Sequence, residues 1–267
     1  MKQKDISAGA HSRIRLPKWQ FISQGDTPAQ HLFNIHLALD VGCKWVQLRL
    51  KQTADKDIIQ TGLAARHLCA NYNALFILND HLKLVSATRA DGVHLGLKDQ
   101  TVATARNLLG NDHLIGGTAN TAADLTARVK ENVDYIGLGP FRFTYTKKNL
   151  SPVLGVQGYI KLLGKNGAAK KIPCPVYAIG GIGLDDLSAL QLANVDGIAL
   201  SGWLTGQAGL AAWEKRQKAP LSLQNYQDYY QNWKENNPAV FHWIFDQTRQ
   251  IVQCLDQTDR IKSMNEN

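Results

Sequence analysis

The sequence predicts an α/β protein, a (β/α)8 TIM barrel with a C-terminal helical extension. Three observations lead there. Eight short apolar runs recur between residues 19 and 200, most of them separated by segments with helical spacing, which is the pattern of βα units and a parallel sheet. Polar, glycine-rich sequence follows the runs, as QLRLK, ND, HLGLKD, GGTANT, GPFRFTYTKKN, GGIG and SG. No G-x-G-x-x-G follows the first run, so the fingerprint of an open dinucleotide-binding sheet is missing. A chain of 267 residues accommodates one barrel of about 250 residues.

The predicted strands are Trp19–Ile22, Trp45–Leu48, Leu75–Leu78, Gly92–Leu95, Leu114–Ile115, Tyr135–Leu138, Val176–Ile179 and Gly197–Leu200. Helical spacing is clear at Ala64, Leu68 and Tyr72, over Thr101–Leu109, and at Leu187, Leu190 and Leu192 after Asp185. Ala208 to Lys218 reads as the last barrel helix, which Pro220 interrupts. Leu221–Glu235 and Ala239–Lys262 read as two further helices joined by Asn236-Asn237-Pro238. The division expected is a barrel over 1–218 and an extension over 219–267. Tyr226, Tyr229, Tyr230, Trp233, Phe241, Trp243 and Phe245, with the aliphatic Ile244 among them, make the extension aromatic. Packing on the barrel exterior is the simplest role for it; a homodimer contact or a lid is the functional alternative.

Net charge is +8, and residues 207–267 carry seven basic and seven acidic side chains, so the excess lies in the barrel. A positive barrel suits anionic substrates through electrostatic steering. No aromatic-basic stripe or recognition motif points to nucleic acid. No apolar run approaches the roughly 18–20 residues needed to span a bilayer. The basic N-terminus lacks the apolar stretch of a secretory signal, and a cytoplasmic protein is expected. The four cysteines (Cys43, Cys69, Cys174 and Cys254) never form Cys-x-x-Cys and read as buried free thiols.

In a barrel of this kind the strand-to-helix loops share one face, and that face carries the chemistry. Gln47, Arg49 and Lys51 alternate along an extended segment and so share a side. Two cations and an amide there make a cradle for a pyrophosphate, or else a solvent-facing charge pair. Asp80 follows the apolar run ALFIL, and Asp99 ends HLGLKD just past the next strand. Two carboxylates on adjacent strand ends can share one Mg2+, which takes few carboxylates together with phosphate and water. The alternative is that each caps the turn or helix that follows. The loop Gly139–Gly155 offers Thr144, Thr146, Lys147 and Lys148 to a phosphate. Gly180-Gly181 and Leu200-Ser201-Gly202 follow the last two strands, where barrels often bind phosphate with backbone N–H groups. His94 reads as a barrel-interior residue.

The ordered motifs VQLRLK (46–51), FILND (76–80), ADGVHLGLKD (90–99), IGGTANT (115–121), DYIGLGPFRFTYTKKN (134–149) and PVYAIGGI (175–182) resemble the thiamine phosphate synthase family over the whole barrel. That family joins a hydroxymethylpyrimidine pyrophosphate to a hydroxyethylthiazole phosphate, releasing pyrophosphate. The resemblance implies that Gln47, Arg49, Lys51 and Asn79 hold the pyrimidine pyrophosphate, with Thr118 near the pyrimidine and Asp80 and Asp99 on Mg2+. It implies that Thr144, Thr146, Gly181, Leu200 and Ser201 hold the thiazole phosphate, and that Lys147 meets the pyrophosphate. Arg49, Lys51 and Lys147 would carry the catalytic charge. No protein nucleophile is needed if the reaction passes through a pyrimidinylmethyl cation, as the family's is thought to. Thr118 stands for the family's usual serine, Asn120 for a common histidine, and Phe143 for a frequent proline. Trp203 is expected to crowd or shape the thiazole end. A thiazole tautomerase relative would need an acid–base histidine near position 120. A non-catalytic binder of thiamine precursors would not need the metal pair.

Overall fold

The computed structural model describes residues 16–143, 152–164, 172–207 and 221–265, with side chains as far as Asp256. Eight parallel strands close a barrel in chain order: β1 (Trp19–Ile22), β2 (Trp45–Leu48), β3 (Leu75–Asn79), β4 (Gly92–Leu95), β5 (Leu114–Ala119), β6 (Tyr135–Leu138), β7 (Val176–Ile179) and β8 (Gly197–Leu200). β8 returns to β1 with Phe21 opposite Leu200. On the outside lie α1 (Pro28–Asp40), α2 (Asp55–Asn71), α3 (Val85–Thr88), α4 (Val102–Leu109), α5 (Ala122–Lys130), α6 (Gly155–Leu163), α7 (Leu187–Leu192) and α8 (Gly202–Gln207). Local chemistry fixes their starts. Thr27 caps α1 by accepting from the Gln30 amide, and Thr101 caps α4 in the same way. Thr121 and Asp124 close a reciprocal box over the first turn of α5.

Two strands run past the sequence expectation, β3 by one residue to Asn79 and β5 by more. β5 runs to Ala119, four residues past the predicted end at Ile115, so Gly116, Gly117 and Thr118 are strand and not loop. The glycines are there for space. A Cβ on Gly116 would lie 2.0 Å from the Tyr135 ring, and one on Gly117 would lie 2.6 Å from the Arg128 side chain. Tyr135 belongs to a floor of inward side chains at the strand starts. Trp45, Tyr135 and Tyr177 meet edge to face there, with centroids 4.7 and 4.8 Å from Trp45, together with Ile77 and Leu114. Gly116→Ala is therefore expected to lower stability by roughly 1–3 kcal/mol through overpacking. Equilibrium denaturation against the wild type measures it, and an unchanged midpoint would contradict the packing.

The helix expected over Ala208–Lys218, the interrupting Pro220 and the expected boundary at 218–219 lie outside the described residues. The two extension helices are α9 (Tyr226–Asn236) and α10 (Pro238–Asn265). They pack on α1, α7 and α8. Phe33 of α1 meets Tyr230 and Trp233 at 5.2 and 5.3 Å. Asp40 accepts from Tyr230 Oη and Lys234 Nζ, each at 2.7 Å. The aromatic residues of α9 join the main core, whereas Trp243 and Phe245 of α10 are exposed. Cys43 and Cys69 are buried, but Cys174 and Cys254 are only half-buried, because they pack at the edge of the main core. Cys254 Sγ accepts from Gln191 Nε2 at 3.2 Å. Among the described residues no helix is long and apolar enough to cross a membrane.

Candidate functional site

Above the aromatic floor, strand alternation makes the barrel interior polar. Trp45 and Gln47 share the inward side of β2, and Ile77 and Asn79 that of β3. Gln47 is buried and donates to Gln20 Oε1 at 3.0 Å. His94 is buried between Thr118 Oγ1 (3.0 Å) and Tyr135 Oη (3.2 Å), an interior residue as the sequence implied. These polar groups lie toward the C-terminal strand ends, above the largely apolar and aromatic floor.

Asp80 sits where β3 ends. Its backbone is left-handed, with φ +63°, a region where Asp is better tolerated than most residues. The Asp80 amide donates to His94 O at 2.9 Å. Its carboxylate accepts from Asn79 Nδ2 at 2.6 Å and takes the Lys51 ammonium directly. Asp80 therefore spends its oxygens on the site and does not cap the next turn, where His81 is the cap position and has no side-chain cap. Asp99 is not a helix cap either, since Thr101 fills that place. Asp99 Oδ2 accepts the Gly96 amide at 2.6 Å, closing the loop after β4. Asp80, Asp99, Asp55 and Lys98 border one cleft of about 500 Å³.

Arg49 and Lys51 leave β2 on the same rim. Burial lowers the pKa of both, and for Lys51 the nearby Arg49 charge adds to the fall while Asp99 opposes it. The Lys51 ammonium thus lies within electrostatic reach of Arg49, Asp80 and Asp99 together. Among the described residues no group of three or more His, Cys, Asp or Glu side chains suits a metal. A pair of carboxylates does fit a hard divalent cation, which completes its shell with water and substrate oxygens.

The opposite side of the mouth is the end of β7 and β8. Gly180 and Gly181 have φ of +95° and +69°, left-handed values that glycine adopts without strain. Arg142, past β6, forks onto both Asp186 oxygens and donates to Gly181 O at 3.2 Å, tying the β6 and β7 loops together. Leu200 is buried inside β8, so it can meet a ligand only through its backbone. Ser201 follows it and donates to Gln24 Oε1 at 3.3 Å. Thr144, Thr146 and Lys147 lie outside the described residues. Trp203 is half-buried in α8, packed on the core.

This geometry accompanies a family match. A family model described as thiamine monophosphate synthase matches residues 20–204. The chain belongs to this family. A thiamine-phosphate synthase of Flavobacterium johnsoniae is 50% identical over 188 residues, 70% of this chain and 88% of that protein. One from Phocaeicola vulgatus is 45% identical over 183 residues, 68% of this chain and 88% of that protein. A solved thiamine phosphate pyrophosphorylase from Pyrococcus furiosus superposes with a TM-score of 0.65 at 22% identity, over 90% of this chain and 96% of that one, which shows the common fold.

Within this thiamine monophosphate synthase barrel, several residues escaped the sequence reading. Arg128 of α5 is buried, donating to Thr118 O and Gly96 O at 3.0 Å each and pairing with Glu131 at 2.8 Å. Its only sequence signal is the glycine opposite it in β5. Arg142 and Asp186 are 44 residues apart and carried no signal. His31 was also missed. It is buried at the start of α1, accepts from Ser23 Oγ at 2.7 Å and donates to Gly25 O at 3.1 Å. Burial lowers its pKa from 6.5 to about 4. As pH falls through 6.5 the unfolded chain takes this proton first, so His31 should cost stability progressively until the folded form protonates near 4. Denaturant titrations at pH 7 and 5 are expected to show that loss, and a smaller one in His31→Gln. Equal pH dependence in the two proteins would refute it.

Proposed function

We propose that this protein is a transferase that joins hydroxymethylpyrimidine pyrophosphate to hydroxyethylthiazole phosphate, giving thiamine phosphate and pyrophosphate. Membership of the family and relatives named thiamine-phosphate synthase support the activity. The observation that carries the residue assignment is the meeting of Lys51 with Asp80 beside Asp99 around one cleft. Asp80 and Asp99 would hold Mg2+, which supplies charge neutralisation for the departing pyrophosphate. Arg49, Lys51 and Lys147 add fixed positive charge to the same oxygens, a term that grows as charge develops on the leaving group. The bond from the pyrimidine methylene carbon to the pyrophosphate oxygen breaks, and that carbon bonds to the thiazole nitrogen. Gln47, Asn79 and Thr118 orient the pyrimidine. Thr144, Thr146, Gly181, Leu200 and Ser201 hold the thiazole phosphate. Because both substrates arrive with their reactive atoms in place, catalysis rests on positioning and charge.

Asn120 weighs against a tautomerase. Its amide donates to Gly139 O and ties β5 to the β6 loop, and no imidazole is present at that position for proton transfer. The test is to mix both substrates with Mg2+ and follow thiamine phosphate and pyrophosphate. Stoichiometric appearance of the two supports the proposal, and no product with folded protein would reject it.

A further inference from the structure

We propose that the loop leaving β1 is a two-armed positioning element, in which Ser23 fixes the Arg49 end of the site and Gln24 fixes the Ser201 end. The inference rests on the pyrophosphate and phosphate ends assigned above. In a closed barrel β1 lies between β2 and β8, so consecutive residues of its exit loop can reach opposite sides of the mouth.

The first arm extends the sheet. Pairing of β1 with β2 ends at Ile22 opposite Gln47, and the Ser23 amide adds one more bond, to Gln47 O at 2.8 Å. The Arg49 amide then donates to Ser23 Oγ at 3.0 Å, so a hydroxyl replaces the backbone acceptor. The direction of this chain is determined. Gly25 O can only accept, so the His31 nitrogen facing it carries the proton, and the other nitrogen must accept from Ser23. Ser23 and His31 are both buried, which makes the bonds costly to lose. The lowered pKa of His31 keeps its acceptor nitrogen unprotonated near neutral pH.

The second arm is Gln24. Its Oε1 accepts from Ser201 Oγ at 3.3 Å, and its Nε2 donates to Thr205 of α8. Its own carbonyl accepts from Asn34 Nδ2 at 2.9 Å. His31 and Asn34 are three residues apart on α1 and so lie on one side of that helix. One helix surface therefore braces both arms, through His31 to Ser23 and through Asn34 to Gln24. Ser23 and Gln24 touch residues assigned to substrate, His31 acts through Ser23, and all three are positioning residues, not catalytic ones.

The split between substrates is the readout, because a merely structural loop would move both together. In the full chain with Mg2+, Ser23→Ala is expected to raise the KM for the pyrimidine pyrophosphate about three- to tenfold and leave that for the thiazole phosphate unchanged, the size of one lost hydrogen bond. Gln24→Ala should do the reverse. Ser23→Thr keeps the hydroxyl and should restore the wild-type KM. Calorimetric titration of Mg2+-pyrophosphate and of the thiazole phosphate into each protein reads the same split without turnover. If the wild type makes no thiamine phosphate, the functional proposal fails while the binding split still judges the loop. Equal changes for both ligands, no change for either, or no restoration by Thr in a protein with native melting would overturn the inference.

Discussion

Asp80→Asn is expected to lower turnover by at least about tenfold, or about 1.4 kcal/mol of transition-state stabilisation. Asn is the informative change because position 80 has φ +63°, and Asn adopts the left-handed region at least as readily as Asp. Ala would add backbone strain to the loss of charge and confuse the two. The amide variant keeps the shape of the side chain, but the Lys51 ammonium loses its counter-charge and the cleft loses one of the two carboxylates proposed to hold Mg2+. The apparent requirement for Mg2+ should rise along with the fall in rate, while the melting temperature changes little. Initial rates over a Mg2+ titration and a thermal melt of each protein measure these effects. Turnover at the wild-type level would remove Asp80 from the metal site.

Trp233→Ala is expected to destabilise the protein by about 3–5 kcal/mol, the usual cost of emptying a fully buried large aromatic site. Trp233 has no exposed surface and packs edge-on against Phe33 of α1, with Tyr230 stacked beside it at 6.1 Å. Its indole nitrogen has no hydrogen-bond partner among the described residues, so Trp233→Phe removes volume without breaking a polar contact and should recover most of the loss. Chemical denaturation followed by far-ultraviolet circular dichroism compares the three proteins. An Ala variant as stable as the wild type would mean that α9 is not part of the cooperative unit with the barrel.

Both results bear on what could be read before the fold was known. The eight strands were legible because a short strand buried on both faces is a short apolar run, and β1, β2, β4, β6, β7 and β8 match their predicted limits. The overrun of β5 was not legible. Gly116 and Gly117 look like a loop until Tyr135 and Arg128 are seen occupying the space that side chains would fill. Asp80 and Asp99 were legible as a metal pair but equally as caps. Only the carboxylate partners, Lys51 and Asn79 for Asp80 and the Gly96 amide for Asp99, remove the capping alternative. Arg142, Ser23 and Gln24 gave no signal because each acts through a partner distant in sequence, and Arg128 gave only the glycine opposite it.

Periodicity and the motif order alone determined the fold class, the face that carries the chemistry and the family resemblance, since apolar spacing and strand-end residues are local properties. Tertiary structure decided the rest: the pairing of Lys51 with Asp80, the burial of Arg128, the fork of Arg142 on Asp186 and the seating of α9 on α1. Those depend on which strand ends become neighbours once the sheet closes and on what is left without water, and neither is encoded in any single stretch of chain.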